Sequence, residues 1–315
     1  MTEIVESLKN ELSSVPFFSR VFLNKKKDKL IIWNDIDIHQ IYKLDSQIDI
    51  NCIMEDINQK IEEKYKIENN IVSVIIPNYN NEYFIQEVIT RILKSTYKNI
   101  EIIIVDDKST DNSVEIIETN FKKEIESKKI RLFINSENCG TYYCRNKGIL
   151  LSNGSYIFFV DGDDYIGPKL IKRMYDWLSN SINKDYWVYQ RPFSRIYMNE
   201  NYEQIKQIMT PYYIKIFRRR LYNHIGFYQD NRFGADTEFD ERITFNKYLY
   251  FKDYNVRTPE YFANTVINKN LTCIINREER IKYLIKAKDD IKKKRYIRMA
   301  LLEDLSININ IKKTV

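Results

Sequence analysis

An acidic cluster with a glycine inside it stands directly after an apolar run of this 315-residue chain. The run covers residues 156–160, and the cluster reads Asp161-Gly162-Asp163-Asp164. Side chains two residues apart in extended chain lie on the same face, so Asp161 and Asp163 can bind one ligand together. Neighbouring carboxylates repel each other unless a cation neutralises them, and their oxygens suit Mg²⁺ or Mn²⁺. The cluster therefore predicts a divalent metal site, at which Gly162 leaves room for a phosphate or a sugar.

Other metal chemistries fit these residues poorly. An EF-hand loop that began at Asp161 would need glycine at its sixth position, where Ile166 stands. A phosphatase-type aspartate nucleophile would end a first strand and precede Thr or Val, whereas Asp164 and Tyr165 follow what we expect to be the fourth strand. The chain has two histidines and no C-x-x-C pair, so a zinc cluster is not expected.

Apolar periodicity predicts strands that alternate with helices around this cluster. The expected strands cover residues 71–76, 100–105, 130–134 and 156–160, and the expected helices cover 82–93, 111–125, 141–151 and 168–177. Strands and helices in this alternation form right-handed crossovers and a mostly parallel sheet. Ligands of such sheets bind beyond the carboxyl ends of the strands. The polar segments that follow the four strands should therefore meet at one edge.

Glycine is scarce, with 7 in 315 residues, and five of the seven lie between Gly140 and Gly167. The chain has no G-x-G-x-x-G or Walker-type phosphate loop. Because glycine permits close approach of a ligand to the backbone, its concentration in this stretch favours a binding site there.

The segments that follow the strands resemble the motifs of a known family. In chain order they read Val72-Ser-Val-Ile-Ile-Pro77-Asn-Tyr79-Asn80, Ile104-Val-Asp106-Asp107-Lys-Ser109-Thr-Asp111, Asn138-Cys-Gly140 to Arg145-Asn146-x-Gly148, and Phe159-Val-Asp161-Gly-Asp163-Asp164. The order and spacing are similar to those of family 2 of the inverting, GT-A fold glycosyltransferases, closely over residues 71–177 and more loosely to about 245. The resemblance implies a GT-A (Rossmann-like) α/β fold, with a mostly parallel sheet flanked by helices.

The resemblance also implies residues that bind the nucleotide part of a nucleotide-sugar donor. Pro77 and Tyr79, with the adjacent Asn80, match positions that flank the base. Asp107 matches the acid that hydrogen-bonds the uracil imide. Arg145 matches a basic residue near the diphosphate, whose charge it can offset.

The acidic cluster matches the DxD motif of the same family. By this resemblance Asp161 and Asp163 contact the ribose and, through Mn²⁺ or Mg²⁺, the diphosphate of the donor, with Gly162 between them. Asp164 is a further candidate ligand. The metal would stabilise the leaving nucleoside diphosphate as a Lewis acid.

An inverting transfer needs a general base for the acceptor hydroxyl, and the family keeps one downstream of an arginine-rich segment. Here Phe217-Arg-Arg-Arg-Leu221 precedes Gly234-Ala235-Asp236-Thr237-Glu238. Asp236 matches the base, and Ala235 replaces the usual Glu. Glu238 and Asp240 are fallback candidates for the base.

We expect three parts along the chain. Residues 1–69 form an N-terminal α/β extension, residues 70–250 form the transferase domain, and residues 251–315 form a mainly helical basic segment. Within the domain, residues 70–180 are the nucleotide-sugar half, and residues 181–250 are the acceptor and base half.

The net charge of +6 lies in one place, because residues 277–298 hold ten Lys or Arg against four acids. The expected amphipathic helix there indicates either a solvated face or peripheral contact with anionic lipid. No nucleic-acid motif accompanies the charge, so nucleic acid is not an expected partner. The absence of an apolar N-terminal run and of cysteine pairs indicates a cytoplasmic protein, at most peripheral to the membrane.

These observations predict a metal-dependent, inverting glycosyltransferase. It would move a sugar from a nucleotide-sugar donor, with UDP-sugar favoured, to a hydroxyl of a glycan or lipid-linked acceptor, in polysaccharide, glycan or glycolipid synthesis. Two alternatives stay open: a metal-dependent sugar nucleotidyltransferase, and an inactive sugar-binding or partner-binding module of the same fold.

Overall fold

A computed structural model describes residues 22–24, 29–34, 69–228, 234–254, 258–267 and 298–301, together with Lys282 and Ile285. The described strands are, in chain order, β1 (Phe22–Asn24), β2 (Lys29–Asn34), β3 (Val72–Asn78), β4 (Ile100–Asp106), β5 (Ile130–Ile134), β6 (Tyr156–Phe159), β7 (Tyr165–Ile166), β8 (Tyr186–Met198), β9 (Gln204–Arg218), β10 (Leu249–Lys252), β11 (Tyr261–Val266) and β12 (Arg298–Leu301). The described helices are α1 (Ile85–Leu93), α2 (Ser113–Asn120), α3 (Lys122–Glu126), α4 (Thr141–Leu151), α5 (Leu170–Ser179), α6 (Leu221–Ile225) and α7 (Ala235–Phe245), with a 3₁₀ turn at Ser181–Asn183.

Nine of these strands form one sheet in the order β5-β4-β3-β6-β9-β8-β11-β7, with β10 paired to β8. The four strands expected from the sequence, β3 to β6, run parallel to one another, and β9 joins them antiparallel to β6. The long strands β8 and β9 form an antiparallel hairpin beyond β6. The expected mostly parallel sheet flanked by helices is confirmed. A separate three-stranded sheet has the order β1-β2-β12.

Alternate residues of the central strands face two different cores, as the two-residue period of a strand requires. Val74 and Ile76 of β3 pack in the core that holds α1 and α5, whereas Ile75 between them packs with α4, α6 and α7. Gly148 lets α4 approach β3 closely, because a Cβ there would lie 2.3 Å from Ile75 Cγ2. Burial on both faces explains why β3 and β4 are almost uninterrupted apolar runs.

The structure differs from the sequence-based expectation in two elements. The single helix expected over 111–125 is two helices, α2 and α3, because Phe121 leaves the helical conformation at φ −122°. The sheet also continues beyond residue 250, where we expected the transferase domain to end, since β11 pairs with both β8 and β7. Most of 1–69 and of 277–298 lies outside the described residues, and so do the expectations placed there.

Candidate active site

The loops after β3 and β4 are tied together by buried polar side chains. Asn78 donates from Nδ2 to Asp106 Oδ2 at 2.8 Å, and Asp106 also accepts from the Ser109 hydroxyl at 2.6 Å. The Asn80 N–H donates to Ser109 Oγ at 3.0 Å, and Asn80 adopts φ +54°, a left-handed conformation that Asn tolerates. Because each buried polar group has a partner, these two loops hold one defined shape at the carboxyl edge of the sheet.

Two residues that we expected beside the nucleotide base lie at this edge and differ in exposure. Pro77 is buried as the penultimate residue of β3, whereas the Tyr79 side chain is 46% exposed. An exposed aromatic ring at the end of a central strand offers a flat face to a planar ligand. Tyr79 is therefore the residue of this pair that the edge presents to solvent.

The Asp107 carboxylate holds the loop before α4. Its Oδ1 accepts from Asn135 Nδ2 and from the Cys139 N–H, both at 2.8 Å, and its Oδ2 accepts from the Gly140 N–H at 2.7 Å. Asp107 is only 3% exposed. Its contact with a uracil imide stays a prediction, and in this structure the side chain positions the segment that leads into α4.

Gly162 sits against the β3 loop with no space for a side chain. A Cβ there would lie 2.6 Å from both Asn78 Oδ1 and Asn81 Nδ2. The flanking Asp161 and Asp163 are partly exposed at the same edge. The glycine thus lets the acidic turn pack onto the loop after β3. This packing requires glycine at position 162 whether or not a ligand also approaches there.

The acidic turn is also held by hydrogen bonds from β11, the strand that pairs with β7. Asp164 Oδ2 accepts from the Tyr261 hydroxyl at 2.6 Å, and its Oδ1 accepts from the Asn264 N–H at 2.9 Å. Asn264 Nδ2 donates to the Asp163 carbonyl oxygen at 2.5 Å. Burial, with the charges of Asp163 and Asp161, raises the pKa of the Asp164 carboxyl well above its usual range. Tyr261 and Asn264 were missed at the sequence level because no motif links them to a turn about a hundred residues earlier.

Arg145 of α4 reaches the acidic turn from the face of the sheet on which α4, α6 and α7 pack. Its Nη2 donates to Asp161 Oδ1 at 2.7 Å, and its guanidinium lies 5.4 Å from the Tyr142 ring and 5.3 Å from the Phe159 ring. Burial alone would lower the pKa of this guanidinium, but Asp161 and nearby tyrosines raise it well above its ordinary value. Arg145 is therefore a permanent cation that lies beside the acidic cluster.

Tyr142 connects this cation to α7. Its hydroxyl donates to Asp236 Oδ1 at 3.0 Å, and the Thr237 N–H donates to the same oxygen at 2.9 Å. Burial, together with the Asp236 charge, raises the pKa of Tyr142 well above its usual range, so this hydroxyl keeps its proton. Asp236 itself is exposed in the first turn of α7. The sequence-predicted base and the acidic cluster are thus joined by a continuous series of contacts.

The two fallback candidates for the base have other partners. Glu238 is fully buried and pairs with Arg242, with 2.6 Å between Glu238 Oε1 and Arg242 Nε. Asp240 Oδ2 lies 2.6 Å from Lys215 Nζ on β9. Glu238 therefore anchors the inner face of α7, and of the three acids Asp236 is the one exposed at the edge.

No group of three or more His, Cys, Asp or Glu side chains within the described residues is arranged to hold a metal ion by itself. Mg²⁺ is usually bound through one or two carboxylates plus the phosphates of a substrate. The pair Asp161 and Asp163 therefore suits a metal ion that binds together with a phosphate-bearing substrate. Both Asp164 oxygens already accept hydrogen bonds from β11.

Known proteins resemble this chain in fold and in sequence. Over 69% of this chain and 65% of the other, the fold matches Staphylococcus aureus TarS (residues 1–349) crystallised with UDP-GlcNAc, at a TM-score of 0.51 and 20% identity. The fold is therefore of the GT-A glycosyltransferase class.

The sequence identifies the family. The family model described as Glycosyl transferase family 2 matches residues 73–244. The chain belongs to this family.

Two of the similar proteins are bacterial glycosyltransferases. The uncharacterized glycosyltransferase EpsJ of Bacillus subtilis is 33% identical over 54% of this chain and 55% of that protein. The Escherichia coli UDP-Glc:alpha-D-GlcNAc-diphosphoundecaprenol beta-1,3-glucosyltransferase WfgD is 35% identical over 39% of this chain and 47% of that protein. The chain thus spans about half the length of these relatives. None of the described helices combines the length and the apolar composition that a transmembrane span requires.

Proposed function

We propose that this protein is an inverting, metal-dependent glycosyltransferase that moves a sugar from a UDP-sugar to a hydroxyl group of a glycan or lipid-linked acceptor. The observation that carries the proposal is the series of contacts from Asp161 through Arg145 and Tyr142 to Asp236. It supports a single site because the donor-binding acids and a candidate base share one edge of the sheet. Family membership and the GT-A class fold make sugar transfer the chemistry that best fits this edge.

The donor would bind over the loops that follow β3, β4 and β6. The exposed Tyr79 ring would stack on the uracil base of the donor. The Arg145 guanidinium, which lies beside Asp161, would offset the charge of the donor phosphates. Asp161 and Asp163 would supply hard oxygen ligands for Mn²⁺ or Mg²⁺, and the bound metal would stabilise the negative charge on the departing diphosphate.

Asp236 would act as the general base. Its exposed carboxylate would accept the proton of the acceptor hydroxyl as that oxygen bonds to the anomeric carbon and the bond from that carbon to UDP breaks. The Tyr142 hydroxyl would hold Asp236 Oδ1, so that Oδ2 faces the acceptor. One displacement in this geometry inverts the anomeric centre.

The nucleotide and the acceptor class are proposed from the relatives. WfgD, by its name, takes glucose from UDP-Glc to a sugar on a lipid diphosphate. A similar acceptor here would place the protein at the cytoplasmic membrane face, with peripheral contact through the basic residues 277–298.

The test is product analysis with purified protein, Mn²⁺ and a panel of UDP-sugars and GDP-sugars, in which water is the acceptor hydroxyl when no glycan is added. Metal-dependent release of UDP, lost in Asp163→Ala and in Asp236→Ala while both variants stay folded, is the expected result. In a parallel assay with UTP and a sugar 1-phosphate, release of pyrophosphate would instead identify a nucleotidyltransferase. Unchanged UDP release by both folded variants would overturn the proposal.

A further inference from the structure

The strand β10 and the two residues after it present alternate side chains to opposite sides of the sheet, as the period of a strand requires. Phe251 and Asp253 face inward, toward Trp177 and Tyr189, and Tyr250, Lys252 and Tyr254 face outward, where Tyr250 and Tyr254 are exposed. The inward pair decides how firmly the outward three are held.

The inward side chains anchor this segment at two points. The Phe251 ring stacks on Trp177 with centroids 4.4 Å apart. Asp253 Oδ2 accepts from the Tyr189 hydroxyl at 2.7 Å and from Arg191 Nη1 at 2.8 Å. Aromatic stacking and a buried charge-assisted hydrogen bond fix a short segment well. The outward side chains are therefore displayed on a rigid base.

The outward side chains form one cluster with Tyr213 of β9, which we name the tyrosine–lysine surface: Tyr213, Tyr250, Lys252 and Tyr254. Lys252 Nζ lies 5.2 Å from the Tyr213 ring centroid and 5.3 Å from that of Tyr250. Tyr213 meets Tyr254 edge to face at 6.3 Å, and the Tyr254 side chain is 74% exposed. The surface thus combines aromatic faces with a cation that reaches solvent.

The tyrosine–lysine surface adjoins the candidate base. Tyr213 and Lys215 are two residues apart on β9 and share one face, and Lys215 pairs with Asp240. Asp240 lies one turn after Asp236 on α7, so the two side chains share a helix face. Burial raises the pKa of Asp240, while the charges of Lys215 and Lys252 both oppose that rise. Lys252 therefore lies within electrostatic range of α7.

The chemistry of the tyrosine–lysine surface matches a sugar that carries a negative charge. Aromatic faces stack on sugar rings, and an ammonium group attracts a phosphate. Lys215 pairs with Asp240 at 2.6 Å, whereas Lys252 acts on Asp240 only through its charge and lies over the Tyr213 and Tyr250 rings. We propose that the tyrosine–lysine surface is the acceptor subsite and that Lys252 binds a phosphate or diphosphate attached to the acceptor sugar. The inference rests on the proposed function and adds to it the residues and the charge of the acceptor.

The test measures binding without turnover. N-acetylglucosamine 1-phosphate, the uncharged methyl N-acetylglucosaminide and inorganic phosphate are each titrated by NMR into protein saturated with UDP and Mg²⁺, which occupy the donor side. We expect the sugar phosphate to bind more tightly than either other probe. Lys252→Gln should weaken its binding about five-fold, the scale of one exposed ion pair, and leave the methyl glycoside unchanged. Tyr254→Ala should weaken both sugar probes.

Matched variants separate this subsite from general surface charge and from the donor site. Lys184→Gln removes an exposed lysine elsewhere, and Tyr212→Ala removes an exposed tyrosine whose side chain leaves the other face of β9. Both should bind all three probes as the wild type does. Equal binding of the sugar phosphate and the methyl glycoside, or equal losses in Lys252→Gln and Lys184→Gln, would overturn the subsite. Tight binding of inorganic phosphate alone would reduce it to an anion site. UDP that fails to stabilise the wild type would instead count against the proposed function.

Discussion

The two sides of the candidate site are built differently. On the donor side, Asn78, Asp106, Asp107 and Asp164 are all less than 10% exposed, and each accepts or donates hydrogen bonds within the protein. On the acceptor side, Asp236 is exposed, and among the described residues the Tyr142 hydroxyl is its side-chain partner.

The difference follows from what each side must do. Buried, fully bonded loops keep one shape, which suits a nucleotide that must be placed the same way in every cycle. A base has to meet a hydroxyl that arrives from solvent, so it cannot be covered. Rigidity on the donor side and access on the acceptor side are therefore the expected division, and five measurements can sharpen or break it.

The largest effect is expected from Asp236→Asn. The amide keeps the size of the side chain but cannot accept the acceptor proton, so kcat should fall about 10²- to 10⁴-fold while UDP still binds. Steady-state UDP release and a UDP thermal shift measure the two sides separately. Glu118→Gln changes an exposed acid on α2 and should leave both quantities unaltered. A loss of UDP binding in Asp236→Asn would show that the two sides are not separable.

Arg242→Met tests whether the acceptor side is rigid beneath its exposed face. The change leaves the fully buried Glu238 carboxylate without its cation, which should cost about 3–5 kcal/mol of unfolding free energy in urea. Lys172→Met breaks the half-exposed pair with Asp176 and should cost about 0–1 kcal/mol. Similar small losses in both variants would mean that the inner face of α7 is as loosely held as its outer face.

Gly162→Ala tests the close packing of the donor side. The new methyl group would collide with Asn78 and Asn81, so we expect a loss of about 1–3 kcal/mol in stability and weaker UDP binding. Gly167→Ala is the matched control, because its Cβ would have nothing nearer than 3.4 Å. Wild-type UDP affinity in Gly162→Ala would show that the donor loops adapt.

Tyr261→Phe tests the link from β11 to the acidic turn. Without its hydroxyl, Asp164 loses a hydrogen bond and the turn carrying Asp163 is held less firmly. The Mn²⁺ concentration for half-maximal activity should rise about ten-fold, with kcat at saturating metal close to wild type. A lower kcat at unchanged metal dependence would assign Tyr261 a different role.

The smallest effect is expected from Tyr142→Phe. It removes the hydrogen bond to Asp236 Oδ1 but keeps the ring beside Arg145, so kcat should fall about five-fold, the equivalent of one hydrogen bond. UDP binding should stay unchanged. A loss of UDP binding as large as the loss in kcat would place Tyr142 on the donor side of the comparison.

Much of the donor side could be predicted from sequence, because its residues follow strands whose apolar runs are local signals. Asp161 and Asp163 were placed in the site in this way, Arg145 was added by the resemblance to a family motif, and the structure brings Arg145 and Asp161 together. Tyr261 and Asn264 could not be predicted, because they meet the acidic turn only through the pairing of β7 with β11. The division of the helix at Phe121 was missed because apolar periodicity continues across it.

The sequence by itself determined the class of fold and the order in which polar loops follow the central strands, and it predicted the acids most suited to a metal. These depend on local periodicity and on motifs of a few residues. The tertiary structure alone decided which acids are exposed and which are paired: Glu238 turns inward to Arg242, Asp240 meets Lys215, and Asp236 remains at the edge. The physical reason is that burial and ion pairing depend on side chains brought from distant strands, and no local pattern records those neighbours.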